Sequence, residues 1–206
     1  MTTPESERLR GWDQLGRFLR GTSDVHQALQ RVGAKLAELE IPYAICGGMA
    51  VNAHGHQRAT TDIDLLLTAD GLARFKERAL GLGWLEKFAG SRGVRDVQAK
   101  VPIDVLLTGG LPGDGTPHGV VFPDPAAPGV AIERDGLRFL SLAKLIELKL
   151  ASGLSAPDRP RDFDDVIQLV RKNGVAADLG EALHPYVQPK FRELWGLAQR
   201  PNDLPE

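Results

Sequence analysis

The chain has 206 residues, enough for one domain of ordinary size with a helical extension, and its 42% hydrophobic and 25% charged content is typical of globular proteins. A net charge of −2 argues against a strongly cationic nucleic-acid binder, although it is compatible with a local basic patch. The single cysteine, Cys46, excludes an intrachain disulfide. No apolar run approaches the length of a membrane span, and the polar start MTTPESERLR is unlike a signal peptide. We therefore expect a cytoplasmic protein that does not enter a membrane.

Helical periodicity dominates the first forty residues. In residues 1–23, apolar side chains at helical spacing predict a short amphipathic arm without recognisable chemistry; they are Trp12, Leu15, Phe18 and Leu19. Asp24 is a suitable N-cap, and the apolar residues after it recur at intervals of three and four, which predicts a helix to about Glu40.

The stretch YAICGGMAVNAHGHQRATTDIDLLL, residues 43–67, carries the most distinctive pattern in the chain. It predicts an apolar strand over residues 43–46, a turn at Gly47 and Gly48, a short helix from about Met49, a polar link and a second strand. Glycine allows the backbone to approach a ligand closely, and the N-terminus of a helix directs free N–H groups towards it. The turn therefore predicts a phosphate-binding element.

Two carboxylates, Asp62 and Asp64, lie at spacing two in the second strand. Because strand side chains alternate between faces, both point the same way, with Cα atoms about 7 Å apart, while Ile63 and Leu65 point into the core. The two like charges repel each other, and Mg²⁺ between them would offset that repulsion, since it binds one or two carboxylates together with substrate phosphates. The alternative is a pair of strand-end acids that face water.

Asp104 lies alone within the apolar run VPIDVLL, residues 101–107, which predicts a further strand. A carboxylate between apolar neighbours is costly if its face of the strand is buried and unpaired, so we interpret Asp104 as a third site residue, with a wet edge strand as the alternative. Between Gly71 and Ile103, seven basic and three acidic residues form a net positive region. It could steer a triphosphate or an RNA end, or be a solvated face.

The remaining pattern places strands first and helices last. Residues 72–80 predict a helix, residues 84–100 one or two strands, and residues 108–129 a long loop rich in glycine and proline. Three further helices are predicted over residues 141–152, 162–172 and 188–199. This order indicates an α+β core with a helical bundle appended.

The diglycine followed by RATTDIDL, residues 58–65, resembles the signature of the nucleotidyltransferase superfamily, the DNA polymerase β-like fold. The resemblance implies an α+β fold in which a mixed sheet is flanked by helices and followed by a C-terminal helical bundle. On this basis we divide the chain into an N-terminal arm (1–23), a nucleotidyltransferase core (24–136) and a C-terminal helical region (137–206).

The same resemblance implies a two-metal in-line transfer with Mg²⁺, or Mn²⁺ in its place. The implied catalytic and metal-binding carboxylates are Asp62, Asp64 and Asp104. Asp104 would also be able to take the proton of an acceptor hydroxyl. The backbone N–H groups of Gly47 and Gly48 would hold phosphate oxygens, and Arg58 and Thr61 would either order the loop or touch phosphate.

The C-terminal region carries a second resemblance. The segment LKL around Lys149, followed by RPRDFDD over residues 159–165, is similar to the C-terminal motif of abortive-infection-type nucleotidyltransferase toxins, with Arg161 in place of the usual lysine. This implies that Lys149 and Arg161 contact nucleotide phosphates and that Asp162 positions a base or a helix terminus. The alternative is that Asp162 caps its helix while Lys149 is solvated.

Lys87 and Arg92 have about the spacing of the lysine-and-arginine motif that this family carries between its acidic strands, and they are the weakest part of the match. Together the resemblances imply an Mg²⁺-dependent enzyme that moves a nucleoside monophosphate from an NTP to a hydroxyl acceptor, with RNA (tRNA included) or protein favoured over a small molecule. Toxin activity would also imply a partner antitoxin. The alternatives are a protein of the same fold that binds nucleotide without turnover, and an interaction protein.

Overall fold

The chain alternates between helices and strands up to residue 79 and then forms five strands in succession up to residue 140. A computed structural model describes it over residues 13, 15–156 and 159–201. The strands are β1 (Ala44–Ile45), β2 (Ile63–Leu67), β3 (Trp84–Glu86), β4 (Val94–Asp96), β5 (Pro102–Leu107), β6 (Ala131–Arg134) and β7 (Leu137–Leu140). The helices are α1 (Asp24–Glu38), α2 (Gly47–Ala53), α3 (Ala69–Ala79), α4 (Leu142–Ser155), α5 (Pro160–Asn173), α6 (Leu179–Ala182) and α7 (Gln188–Ala198). Residues 15–19 are also helical, whereas Trp12 of the predicted arm lies outside the described residues.

One seven-stranded mixed sheet organises the molecule, with strand order β3-β4-β5-β2-β1-β7-β6. At its centre β2 runs parallel to β5, and β1 runs antiparallel to β2 and parallel to β7. Ile63 and Ile103 are register partners and are both fully buried, so the apolar positions of the two central strands share one face. The α+β fold with flanking helices, predicted from the sequence, is confirmed.

Helices cover the apolar face of the sheet and part of its other face. On the apolar face, α1 buries a stripe of small and branched residues, and Phe75 of α3 meets Trp84 of β3 edge-on with ring centroids 5.7 Å apart. On the other side, α4 contacts α2 and packs lengthwise against α5, which in turn contacts α7. The C-terminal helices thus lie beside the strands that carry the predicted site.

The hairpin of β6 and β7 is not among the elements predicted from the sequence. The two strands are antiparallel and are joined at Asp135 and Gly136, which have φ values of +52° and +73°. Asp-Gly with positive φ at both residues is a strong two-residue hairpin signal, and it was available in the sequence. Because β7 pairs with β1, residues 137–140 lie in the sheet, and the division of the chain at residue 136 stays a proposal.

The other predicted elements are present, with shifted ends. The segment 84–100 forms two strands, and the helix predicted to about Glu40 ends at Glu38. The helix after the diglycine begins at Gly47 itself, not near Met49. Its N-cap is Cys46, whose extended backbone leads directly from β1 into the helix.

Candidate active site

Asp64 and Asp104 are direct neighbours in the middle of the sheet. They are register partners on the parallel strands β2 and β5, so both side chains leave the same face, and Asp62 precedes Asp64 by two residues. Burial, with repulsion from Asp62 and Asp104, raises the pKa of Asp64 from 3.8 to about 6, although Lys149 and Arg159 oppose the shift. The Asp64 carboxylate therefore lies in the electrostatic field of both other acids.

The diglycine bend lies directly against these carboxylates. Gly47 has a φ of +54°, and a Cβ at this position would overlap the carboxylate of Asp64. A Cβ on Gly48 would lie 2.8 Å from the hydroxyl oxygen of Thr60, and the Cys46 N–H donates to the carbonyl oxygen of Asp64 at 2.8 Å. Glycine is required here because the backbone passes where side chains would collide with the acid strand.

Each of the outer acids already has a partner of its own. Thr60 donates its hydroxyl to Asp62 at 2.7 Å, and Lys87 at the end of β3 pairs with Asp104 at 2.7 Å. Within the described ranges, no three Asp, Glu, His or Cys side chains are grouped closely enough to hold a metal ion as they stand. Asp64 and Asp104 therefore share a face of the sheet, whereas Asp62, predicted in the same strand as Asp64, lies just before β2 and acts on Asp64 through its charge. A cation common to the three carboxylates would require these side chains to rearrange.

Two clefts open on either side of Asp64. The first, here called the helix-side cleft, measures about 620 Å³ and lies between the diglycine bend, the polar link and the start of α5. Nine of the ten predicted site residues line it: Gly47, Gly48, Arg58, Thr61, Asp62, Asp64, Lys149, Arg161 and Asp162. The tenth, Asp104, lines a second cleft of about 650 Å³, which Asp64 also borders. We call it the hairpin-side cleft because it lies beside the link between the antiparallel strands β3 and β4. The acids thus separate two spaces of similar size.

A buried ionic network forms the wall of the helix-side cleft. Lys149 lies 2.8 Å from Asp162 and 2.6 Å from Asp165, and Arg58 forms a bidentate pair with Asp165 at 2.8 and 3.0 Å. Lys149 is 7% exposed and Asp165 is fully buried. Because a buried charge needs a partner, Lys149 and Arg58 are committed to this network, which holds the polar link against α4 and α5.

Asp165 is one of two site residues to which sequence reasoning assigned no role at the site. It follows Asp162 by three residues on α5, so both carboxylates reach Lys149 from one side of the helix. That spacing was visible in the sequence, but the burial that gives Asp165 its importance was not.

The alternative interpretation of Asp162 and Lys149 is wrong. Arg159 is the N-cap of α5, and Asp162 lies inside the first turn. Burial alone would raise the pKa of Asp162, but the combined interactions with Lys149, Ser152 and Arg159 lower it below its usual value. The second carboxylate oxygen of Asp162 is buried without a hydrogen bond of good geometry, and the Nε atom of Arg159 lies 3.2 Å from it.

Asn52 organises the polar link and was also missed. Its side-chain amide donates to the carbonyl oxygens of Gly48 at 2.7 Å and Arg58 at 2.8 Å, and it accepts from the Arg58 N–H at 2.8 Å. These three bonds tie the start of the acid-bearing segment back onto α2. By contrast, Thr61 and Arg161 are exposed at the cleft, and no described residue forms an ion pair with Arg161.

The fold is similar to that of solved nucleotidyltransferases. ANT(2'')-Ia, solved in complex with adenylyl-2''-tobramycin, superposes with a TM-score of 0.54 at 17% identity, over 81% of this chain and 96% of that one. JHP933 from Helicobacter pylori gives a TM-score of 0.46 at 16% identity, over 84% of this chain and 89% of that one. The likeness to ANT(2'')-Ia establishes the nucleotidyltransferase fold that the signature predicts.

Sequence comparisons are less informative than the fold. No protein-family model matches the chain, and no curated protein matches it. The narrower resemblance to abortive-infection toxins, and the cytoplasmic location, stay predictions. In the part of the chain that the structure describes, no helix combines the length and apolarity needed to cross a bilayer.

Proposed function

We propose that this protein is a metal-dependent nucleotidyltransferase that moves a nucleoside monophosphate from an NTP to a hydroxyl group. The observation that carries the proposal is the register pairing of Asp64 with Asp104 against a diglycine bend, between two clefts. Such an arrangement can hold a triphosphate on one side of the acids and an acceptor on the other.

The carboxylates suit a hard divalent cation in their chemistry. The pKa of Asp64, raised to about 6 by burial and by its two acidic neighbours, reflects negative charge that a cation would offset. Asp62, Asp64 and Asp104 are the residues that would hold Mg²⁺ or Mn²⁺. When bound there, the metal would neutralise phosphate charge and lower the pKa of the acceptor hydroxyl.

In this proposal the helix-side cleft binds the triphosphate, and the hairpin-side cleft binds the acceptor. Arg161 and Thr61, exposed at the helix-side cleft, contact the triphosphate together with the N–H groups of the diglycine bend. Lys149 acts through its buried carboxylate partners as a positioning residue. The acceptor oxygen attacks the α-phosphorus, the bond from that phosphorus to the bridging oxygen breaks, pyrophosphate leaves, and Asp104 takes the hydroxyl proton.

The acceptor follows from the charge of the hairpin-side cleft. ANT(2'')-Ia is known in complex with an adenylylated tobramycin, which is a polycation. In this chain the hairpin-side cleft contains Lys87 and Arg92 beside Asp64 and Asp104. Lys87 is paired with Asp104, whereas Arg92 has no ion-pair partner among the described residues and can therefore contact an anionic acceptor. This charge supports an RNA or protein hydroxyl as the acceptor. A toxin role with a partner antitoxin is the biological setting that the sequence motif predicts.

Incubation with each α-³²P-labelled NTP, Mg²⁺, total RNA and cell lysate tests the proposal. The wild-type protein should label an acceptor and release pyrophosphate. Asp64→Asn and Asp104→Asn should each reduce labelling by about a thousandfold or more without loss of folding, as judged by circular dichroism. Equal labelling by the wild type and Asp64→Asn would end the enzyme interpretation.

One observation favours a second candidate function, nucleotide binding without turnover. Lys87 already forms an ion pair with the carboxylate of Asp104. Among the described residues, no three Asp, Glu, His or Cys side chains are grouped so that they could bind a metal ion. A protein of this kind would bind NTP equally well with and without Mg²⁺ and would release no pyrophosphate. Isothermal titration with each NTP, in Mg²⁺ and in EDTA, separates the two candidates, because the enzyme requires the metal for tight triphosphate binding.

A further inference from the structure

The sheet face that carries the acids continues beyond Asp104 to the edge of the sheet. Arg95 of β4 is the register partner of Pro102 on β5 and of Leu85 on β3, so these positions share the face of Asp104. Leu85 and Arg95 are exposed, whereas their strand neighbours Trp84 and Asp96 are buried on the opposite side. The outer two strands therefore present an open surface next to the hairpin-side cleft.

We call this surface the hairpin face and define it by Leu85, Lys87, Phe88, Arg92, Arg95 and Val97. It adjoins the acids directly, because Lys87 reaches Asp104, and because Phe88 and Arg92 line the same cleft as Asp104. Gly93 makes that reach possible, since a Cβ there would lie 2.7 Å from the Lys87 side chain.

The exposed charge of the hairpin face is positive. Lys87, Arg92 and Arg95 are exposed, and no described residue forms an ion pair with either arginine. The two acids of the same segment are neutralised elsewhere: Glu86 pairs with Lys76 at 2.6 Å, and Asp96 is buried against Arg31 at 2.8 Å. A local positive surface thus exists on a protein of net charge −2.

Apolar side chains lie among these cations. Phe88 is 69% exposed, Leu85 55% and Val97 46%. An exposed aromatic ring beside arginine side chains is the combination by which proteins bind single-stranded nucleic acid, because bases stack on the ring while the cations track the backbone. Protein interfaces are also enriched in aromatic and arginine side chains, but two arginines without an ion-pair partner among the described residues favour a polyanion.

We propose that the hairpin face docks the end of a single-stranded nucleic acid and delivers its terminal hydroxyl to Asp104. This inference rests on the proposed function and specifies its acceptor. A base stacks on Phe88, Arg92 and Arg95 contact backbone phosphates, and the terminal hydroxyl enters the hairpin-side cleft.

Fluorescence anisotropy with 5′-labelled 12-nucleotide RNA and DNA of one sequence, in EDTA, tests the docking apart from catalysis. The wild type should bind, and Phe88→Ala should weaken binding about tenfold. The double variant R92Q/R95Q should weaken binding at least tenfold and reduce the salt slope by about 1.4, since each lost single-strand phosphate contact removes about 0.7. The matched control R134Q/K172Q, with the same charge change at exposed positions away from this face, should bind as the wild type does.

The outcomes discriminate clearly. Tighter binding of RNA than DNA identifies RNA as the acceptor, and equal binding supports single-stranded nucleic acid in general. Failure to bind either oligonucleotide, unchanged binding by both face variants, or equal binding of a 12-residue polyglutamate peptide would overturn the inference. If the wild type labels a protein in the NTP assay but binds no oligonucleotide, the docking inference fails while the proposed transferase function stands. Asp64→Asn should keep its oligonucleotide binding and lose only the labelling.

Discussion

The helix-side cleft and the hairpin face differ in whether most of their basic side chains are paired with carboxylates. On the helix side, Lys149 and Arg58 are bound to the buried carboxylates of Asp162 and Asp165. On the hairpin side, Arg92 and Arg95 are exposed, and no described residue forms an ion pair with them. The comparison teaches that a basic residue near an active site has to be assigned by what it touches: the paired cations fix the position of the acids, whereas the unpaired ones are available to a ligand.

The largest effect on stability is expected from Asp165→Asn, because it leaves Lys149 and Arg58 without their fully buried partner. Removing one member of a buried ion pair costs about 3–5 kcal/mol. Urea denaturation should show this loss in the free energy of unfolding. The neighbouring exposed residue provides the control, since Asp164→Asn should change stability by less than about 0.5 kcal/mol. Equal effects of the two substitutions would show that the helix-side network is not structural.

Asp64→Asn should increase stability while removing transfer activity. The pKa of Asp64 is raised from 3.8 to about 6, so the folded state favours the neutral carboxyl group. The stability from this preference is complete below about pH 4 and is lost as the pH rises through 6, leaving a deficit at neutral pH of up to about 3 kcal/mol.

Asparagine removes that deficit. Thermal unfolding in EDTA should therefore show a higher Tm for Asp64→Asn at pH 7.5 and little difference at pH 4. A lower Tm for the variant at pH 7.5 would mean that the surroundings stabilise the Asp64 carboxylate. That result would contradict the raised pKa of Asp64.

Arg161→Gln should raise the KM for NTP about tenfold with little change in kcat, because Arg161 is exposed at the helix-side cleft and contacts the triphosphate in the proposed arrangement. Its Tm should be unchanged. Arg159, which lies beside Asp162 and remains half-exposed, offers a comparison at the same helix start. A loss of stability in place of a KM effect would assign Arg161 to the structural side of the comparison.

A smaller effect is expected for Lys87→Met. The Lys87–Asp104 pair is partly exposed, with the two side chains 28% and 42% accessible, so it contributes at most about 1 kcal/mol. Without the ammonium group, Mn²⁺ should bind up to about fivefold more tightly in a titration followed by electron paramagnetic resonance. Lys100→Met removes an exposed cation that is not at the acids and should leave the affinity unchanged. Weaker binding by Lys87→Met would indicate that the lysine supports the metal site and does not compete with the metal.

The acids and the diglycine bend could be predicted from the sequence because their chemistry depends on local geometry. Strand alternation places Asp64 on the face opposite Ile63 and Leu65, whereas Asp62, predicted in the same strand, lies just before β2. Glycine marks a backbone that must pass close to its neighbours. The pairing of β2 with β5, which brings Asp104 alongside, came from the family resemblance and not from the spacing.

The remaining features depend on contacts between residues far apart in the chain. Nothing in the sequence around Lys149 indicates that Asp165 is buried, and the Arg58–Asp165 pair joins residues 107 positions apart. The pairing of Lys87 with Asp104 depends on the space left by Gly93, which directly precedes the adjacent strand β4. The Asp135-Gly136 turn is different, because the Asp-Gly pair that favours a two-residue hairpin is a local feature of the sequence.

Metal binding by the acids is the most direct test of the account. Mn²⁺ titration of the protein with a non-hydrolysable NTP analogue, followed by electron paramagnetic resonance, should show bound metal in the wild type. The affinity should fall at least tenfold in both Asp64→Asn and Asp104→Asn, since each removes a carboxylate ligand. Wild-type affinity in Asp104→Asn would contradict the claim that carboxylates on neighbouring strands act together on one nucleotide.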